Sequence, residues 1–133
     1  MSAFTAKELE YLQEQRLGRL ATVNAAGVPH VVPVAFRYNA GLDAIDIGGR
    51  NLSRTKKFRD VRDTGRAALV VDDVLPPWRA RGVEVRGLAE VLAEGGEEVG
   101  PGFDPEVIRI FPGRIVGWGI DSDGFGPNAR TVG

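Results

Sequence analysis

The chain has no cysteine and, among 133 residues, a single histidine, His30, and a single methionine. Without cysteine there is no disulfide framework, no thiolate metal ligand and no cysteine nucleophile. With one imidazole, His-based metal sites and a Ser-His-Asp triad are not expected, so no metal site is predicted. No apolar run approaches the roughly 20 residues needed to span a bilayer. The segment from Met1 to Glu10 lacks the basic and apolar pattern of a targeting signal. These absences predict a cytoplasmic protein with no membrane partner. The formal net charge of -1 and the lack of interleaved aromatics on a basic surface argue against a nucleic-acid partner. A length of 133 residues suits one core, so a single domain over residues 1–133 is expected.

What the chain does have is punctuation, in 18 glycines and 8 prolines. Thr5 to Gln15 reads as a short amphipathic helix through Leu9 and Leu12, with Thr5 as N-cap and Glu8 three residues on in a capping box. Gly18 to Val23 is an apolar strand, and Asn24-Ala25-Ala26-Gly27 reads as a hairpin turn. In the returning strand Val28, His30, Val32, Val34 and Phe36 share one face. His30 in that inward register reads as structural. Pro29 and Pro33 lack the ladder donor, so this strand is expected at an edge or as an irregular segment. Leu42 to Gly48 and Ala67 to Val71 are strands, Asp72 to Arg79 a loop, and Val83 to Leu92 the most regular alternation. Ala93 to Pro105 is acidic, glycine-rich and expected to be mobile. Val107 to Phe111 and Arg114 to Ile120 supply one or two last strands, and Asp121 to Gly133 has no regular period. Six or seven antiparallel strands and two short helices predict a mainly β protein, a small Greek-key barrel whose closure removes exposed edges.

The chemistry concentrates between Gly48 and Asp63. A strand ends at Gly48-Gly49 and passes through a turn into a basic helix. From Arg50 to Arg66 seven Lys or Arg stand against two Asp. A helix N-terminus offers unpaired N–H groups and the positive end of the macrodipole, and Ser53, Arg54, Thr55 and Lys56 add hydroxyl and cationic donors at that end. Such a segment suits a phosphate, although a solvated basic face has the same composition. Pro76-Pro77-Trp78 reads as a pocket rim or a plain rigid turn. Trp118 suits core or interface as well as a pocket. Glu84 and Glu90 are too far apart along one strand face to share a proton.

Gly18-Arg19-Leu20-Ala21-Thr22-Val23, Gly27-Val28-Pro29-His30-Val31-Val32-Pro33-Val34 and Ser53-Arg54-Thr55-Lys56-Lys57-Phe58-Arg59-Asp60 resemble successive motifs of the pyridoxamine 5′-phosphate oxidase-like split β-barrel family. Arg81 to Gly87, Ile108 to Pro112 and Val116 to Asp121 resemble its later strands, so the likeness covers nearly the whole chain. The small size and the Arg-Thr-Lys-Lys wording resemble most the branch that uses coenzyme F420. The resemblance implies an F420-dependent reductase acting on a conjugated small molecule. Its alternatives are an FMN-dependent oxidoreductase and a non-catalytic flavin- or haem-binding protein. It also implies a homodimer with cofactor at the subunit interface. The phosphate would lie on Ser53, Arg54, Thr55 and Lys56, assisted by Lys57 and approached by Gly48 and Gly49. Pro33, Val34 and Ala35 would meet the ring edge, and Trp78 and Trp118 would wall the substrate pocket. Hydride chemistry would reside on the cofactor, so no catalytic residue is assigned. The tail, with a lone Arg130, departs from the longer Arg- and His-bearing C-terminal motif of pyridoxamine phosphate oxidase itself, so that enzyme's own reaction is not carried over.

Overall fold

The structure is a computed structural model in which residues 1–120 and 127–133 are described. The tail's Asp121, Gly124 and Gly126 lie outside the described residues. The elements run α1 (Ala6–Glu14), β1 (Gly18–Val23), β2 (Pro29–Asn39), β3 (Ala44–Gly48), α2 (Lys56–Thr64), β4 (Arg66–Leu75), β5 (Arg79–Leu92), β6 (Val107–Trp118) and β7 (Asn128–Thr131). The strands follow the order β3-β2-β1-β4-β5-β6-β7, and a further β3–β6 pairing closes six of them into an antiparallel barrel with β7 added outside. The predicted mainly β barrel with two short helices is what forms.

Alternation explains the core. Leu20, Ile45, Ile47, Leu69, Val83, Val85, Ile108, Ile110 and Ile115 point inward and are fully or almost fully buried. Each such side chain contributes about 1.5–3 kcal/mol on removal from water. Leu52 and Val61, from the turn and helix after β3, complete the packing. α1 forms as predicted, with Thr5 and Glu8 in a reciprocal capping box.

The first hairpin sets up the rest. Asn24 N–H donates to Val28 C=O at 3.1 Å and Gly27 N–H to Asn24 C=O at 2.9 Å, with Gly27 at φ 82°. The register then runs without slip from Val23 opposite Pro29 to Gly18 opposite Val34. Because hydrogen-bonded pairs alternate in an antiparallel ladder, His30, Val32 and Val34 turn their backbone groups toward β1, while Pro29, Val31 and Pro33 turn theirs away. The prolines thus sit where no ladder donor is asked of them. On that outward side β3 pairs only with Ala35 to Asn39. Residues 29–34 therefore form an edge, and 35–39 an interior strand.

Three expectations are corrected and one open alternative is settled. Asp72 to Arg79 is not a loop: β4 runs to Leu75 and β5 begins at Arg79, so Pro76-Pro77-Trp78 alone makes the turn. The polar residues there survive in strands because Asp73 and Arg81 neutralise each other, at 2.7 Å and 3.0 Å. Asp73 also accepts from the Tyr11 hydroxyl at 2.7 Å. Ala93 to Pro105 is tied down: Asp104 N–H donates to Gly49 C=O, and Gly96 N–H to Pro105 C=O. The last two strand candidates are one strand, β6, continuous through Pro112 opposite a register shift at Arg86/Gly87. The tail contributes β7, paired with Arg114 to Gly117 of β6.

Arg130 of β7 explains why the tail has an ordered place. Its guanidinium meets both carboxylate oxygens of Glu8, one at 3.1 Å, and donates to Ala3 C=O. Glu8 is 0% exposed, and a buried carboxylate is tolerated only when paired. Arg130→Ala is expected to lower the unfolding free energy by roughly 3 kcal/mol. A lower urea midpoint with unchanged m-value would report it.

Candidate functional site

β3 stops at Gly48, opposite Ala35, and the chain turns there past the unpaired edge of β2. Asn51 adopts φ 55° and ψ 31° and opens a short 3-10 turn, Leu52–Arg54. Thr55 then caps α2: its Oγ1 accepts from Phe58 N–H at 3.4 Å and donates to Leu52 C=O at 2.6 Å. The N-terminus of α2 is therefore Thr55-Lys56-Lys57. Ser53 and Arg54 belong to the turn before it, not to the helix as the sequence suggested.

The predicted site residues divide under inspection. Gly48 is closed over, since a Cβ there would meet Val99 at 2.9 Å, Gly96 C=O at 3.1 Å and Phe103 at 3.1 Å; its lack of a side chain seats the 93–105 segment. Gly49 is open, with nothing nearer than Leu52 at 3.8 Å. Ser53 and Arg54 are exposed. Among the described residues Arg50, Arg54 and Lys57 have no ion-pair partner, whereas Lys56 Nζ reaches Asp60 at 3.3 Å. Burial pushes the Lys57 ammonium below the ordinary lysine value. Of the ring-edge candidates, Val34 faces Gly18 across the β1–β2 ladder and Ala35 faces Gly48. Pro33 C=O is left on the open edge. Val31, 65% exposed, supplies the amide donor of that edge and was missed by the sequence reading. The period-two register started at the Asn24–Gly27 turn was the signal that could have found it.

A second group was also missed. Asp60, 3% exposed, accepts from Thr22 Oγ1 at 2.8 Å and from Lys56 Nζ at 3.3 Å. Thr22 pairs with His30 across the hairpin, and the His30 Nδ1 is buried without a hydrogen-bond partner. Lys56 and Asp60 are one helical turn apart, which the sequence displays. That Thr22 and His30 lie beneath them follows only from the docking of α2 on β1.

The tryptophans are elsewhere. Trp78 is 76% exposed at the β4–β5 turn, and the Trp118 indole lies against Gly82, whose missing Cβ makes room for it. Gly65 C=O at the C-terminal end of α2 accepts from Ala89 N–H. The cationic turn is at the other end of that helix and follows β3, whose Ile47 faces Ile108 of β6, ten residues or about 33 Å from Trp118 at 3.3 Å per residue. One chain does not bring the indoles to the cationic turn.

A six-stranded antiparallel barrel, open along one strand edge with a cationic turn and helix at the opening, defines the split-barrel class. The chain belongs to the pyridoxamine 5′-phosphate oxidase family, matched over residues 4–111. It is 47% identical over 132 residues to a 5a,11a-dehydrotetracycline/5a,11a-dehydrooxytetracycline reductase from Streptomyces rimosus, covering 97% of this chain and 93% of that one. A heme binding protein from Mycobacterium smegmatis shares the fold with a TM-score of 0.68 at 17% identity, over 98% of this chain and 59% of the other. An FAD binding protein from the same organism does so with a TM-score of 0.64 at 19% identity, over 88% and 96%. Among the described residues no helix is long and apolar enough to cross a membrane, and no cluster of His, Asp and Glu suits a metal.

Burial raises the pKa of Asp60, but hydrogen bonds from Thr22 and Lys56 and the positive charge of Lys56 outweigh it, so the net shift is downward. A folded-state pKa below the unfolded value of about 3.9 means that the stabilisation is complete at neutral pH and disappears as acid carries the pH down through the folded pKa. Asp60→Asn is accordingly expected to be less stable than the parent at pH 7, with the gap narrowing below about pH 4. Urea melts at pH 7, 5 and 3 would show it, and a gap independent of pH would contradict the ion-pair assignment.

Proposed function

We propose that this protein is an F420-dependent reductase that passes hydride between a deazaflavin and a conjugated small-molecule substrate. The observation that carries this reading is the meeting of an unpaired strand edge with unpartnered cations at one opening of the barrel. The residues fit such a group. Val31 N–H, Val31 C=O and Pro33 C=O give a donor and acceptors for the edge of a planar heterocycle. Arg54, Lys57, Ser53 and the open Gly49 suit a phosphate at the start of α2. When bound, a reduced deazaflavin supplies the hydride. This chain's part is to bind, orient and exclude water. The 47% identity to a reductase of a polycyclic substrate over nearly the full length supports the class of reaction.

Beyond the phosphate, F420 carries a lactyl and oligoglutamate tail, and Arg50 and Arg59 are further cations for it, whereas Arg79, beside Trp78 at the start of β5, is too far along the barrel within one chain. FMN ends at its phosphate and needs none of them. Kinship of fold with the heme- and FAD-binding proteins keeps two alternatives: an FMN oxidoreductase, and a flavin or haem carrier without turnover. F420 is expected to bind more tightly than FMN, with an advantage that shrinks as salt rises from about 0.05 to 0.5 M. Arg54→Ala and Lys57→Ala should each weaken binding by roughly 1.5–3 kcal/mol, the range for hydrogen bonds to charged groups. Equal or tighter FMN binding, with stoichiometric FMN in protein from a flavin-producing host, would replace F420 by FMN.

The proposed site is completed by a second copy. Ala21, Ala68 and Leu88 line a cavity of about 510 Å³ on the outer face of β1, β4 and β5, rimmed by Arg66, Arg86 and Arg114. Leu88 is 67% exposed, and a sheet face of this kind suits burial against a partner. Light scattering should give a dimer at micromolar concentration, and Leu88→Asp a monomer with weakened cofactor binding. A monomeric parent protein would remove the shared site.

A further inference from the structure

We infer that Asp60 is a positioning residue that withdraws Lys56 from anion binding, leaves Lys57 as the lysine that faces the cofactor phosphate, and fixes the distance between the phosphate and ring ends of the site. The inference rests on the cofactor reading above, and goes beyond it in giving two adjacent lysines opposite tasks and in assigning a residue that touches no ligand.

The geometry is specific. Asp60 is almost completely buried, and a buried carboxylate is stabilised only by close partners. Two are present, one on each oxygen: Thr22 on Oδ2 at 2.8 Å and Lys56 on Oδ1 at 3.3 Å. The pairing at i and i+4 holds the Lys56 ammonium back along α2, away from the first turn, whose N–H groups face the opening. Lys57, one residue on and so rotated about a quarter turn around the helix, has no partner among the described residues. Its charge is available.

The second partner gives Asp60 its reach. Thr22 is on β1 and stands opposite His30 on β2, so the carboxylate joins the first turn of α2 to the hairpin that carries Val31 and Pro33. His30 adds a smaller favourable electrostatic contribution to the Asp60 carboxylate. Among the described residues the ionisable side chains acting on this carboxylate are Lys56 from α2 and His30 from β2, and Thr22 is its neutral partner from β1. The phosphate end of the site belongs to α2 and the ring end to β2, and this buried contact sets their separation.

Two ligand pairs isolate the charged end: FMN against riboflavin, which differ by the phosphate alone, and F420 against 8-hydroxy-5-deazariboflavin, which differ by the phosphate with its lactyl and oligoglutamate tail. In each pair the ratio of dissociation constants reads what the charged end adds, independently of ring binding and turnover. In the parent protein Lys57→Met should reduce the ratio at least tenfold with melting temperature nearly unchanged. Lys56→Met should change it less than twofold and lower the melting temperature. In the Asp60→Asn background, where the amide can still accept from Thr22 but no longer holds the lysine as an ion pair, Lys56→Met should reduce the ratio at least threefold. A role confined to folding would produce no such background dependence. If Lys56→Met costs the same ratio in both backgrounds, or Lys57→Met costs none while the parent favours the phosphorylated ligand, the assignment of Asp60 is overturned and the cofactor reading stands. If the parent shows no preference in either pair, both fall. Should Asp60→Asn fail to fold, the contrast between the two lysine variants in the parent protein decides.

Discussion

The structure depends on a mismatch of strand lengths. β2 has 11 residues and β3 has 5, so one strand cannot satisfy the backbone of the other. A barrel closes by pairing every edge, and unpaired N–H and C=O groups must find water, side chains or a ligand. Here the shortfall falls on residues 29–34, where prolines at positions 29 and 33 have already removed two of the three outward-facing donors. At the other end of β3 the longer β6 faces the same shortage and meets it with β7. One end of the mismatch is filled by the protein's own chain. The other borders the cationic turn.

Much of this was legible in the sequence because the signals were local. The Asn24–Gly27 turn, the alternation from Val83 to Leu92 and the Thr5/Glu8 capping box each need only a few neighbouring residues to be recognised. What escaped was whatever a distant partner decides. Asp72, Asp73, Arg79 and Arg81 look like loop residues until Asp73 and Arg81 are seen to face each other across β4 and β5. Arg130 looks like part of an aperiodic tail until Glu8 is seen to need a counter-ion. Gly48 looks like a phosphate-approaching glycine, yet its missing side chain makes room for Val99 and Phe103, which no periodicity foretells.

The candidate site was read correctly as a segment and incompletely as a set of side chains. Counting cations from Arg50 to Arg66 finds the region, but charge counts do not separate a neutralised lysine from a free one. That separation is made by Asp60, while Asp104 occupies a backbone donor instead, its carboxylate accepting from Asn51 N–H at 2.8 Å. Each of these carboxylates removes one donor from the neighbourhood of the turn. The donors left over around the start of α2, at Gly49, Ser53, Arg54 and Lys57, are fewer than the sequence offers and suit a phosphate there, and Arg50 beside them is without an ion-pair partner among the described residues. The same reasoning explains how so basic a segment is tolerated beside the core: part of its charge is neutralised internally.

The position of the tryptophans adds a constraint on assembly. Within one chain the cationic turn lies toward the α2 end of the barrel, and Trp78 and Trp118 lie toward the opposite end of β5. Burying the outer face of β1, β4 and β5 against its own copy puts the two-fold axis in the plane of that contact, and an axis perpendicular to β5 would reverse the direction of β5 between copies. The indole end of one copy would then lie against the α2 end of the other, twice over. In a dimer of that symmetry the anion-binding half of each site and its aromatic wall would come from different chains, the first held by the Asp60 contact with Thr22 and the second by the seat that Gly82 provides for Trp118. Substrate selection would rest on the aromatic half and cofactor selection on the cationic half, so a change of substrate among relatives need not disturb the residues that hold the cofactor.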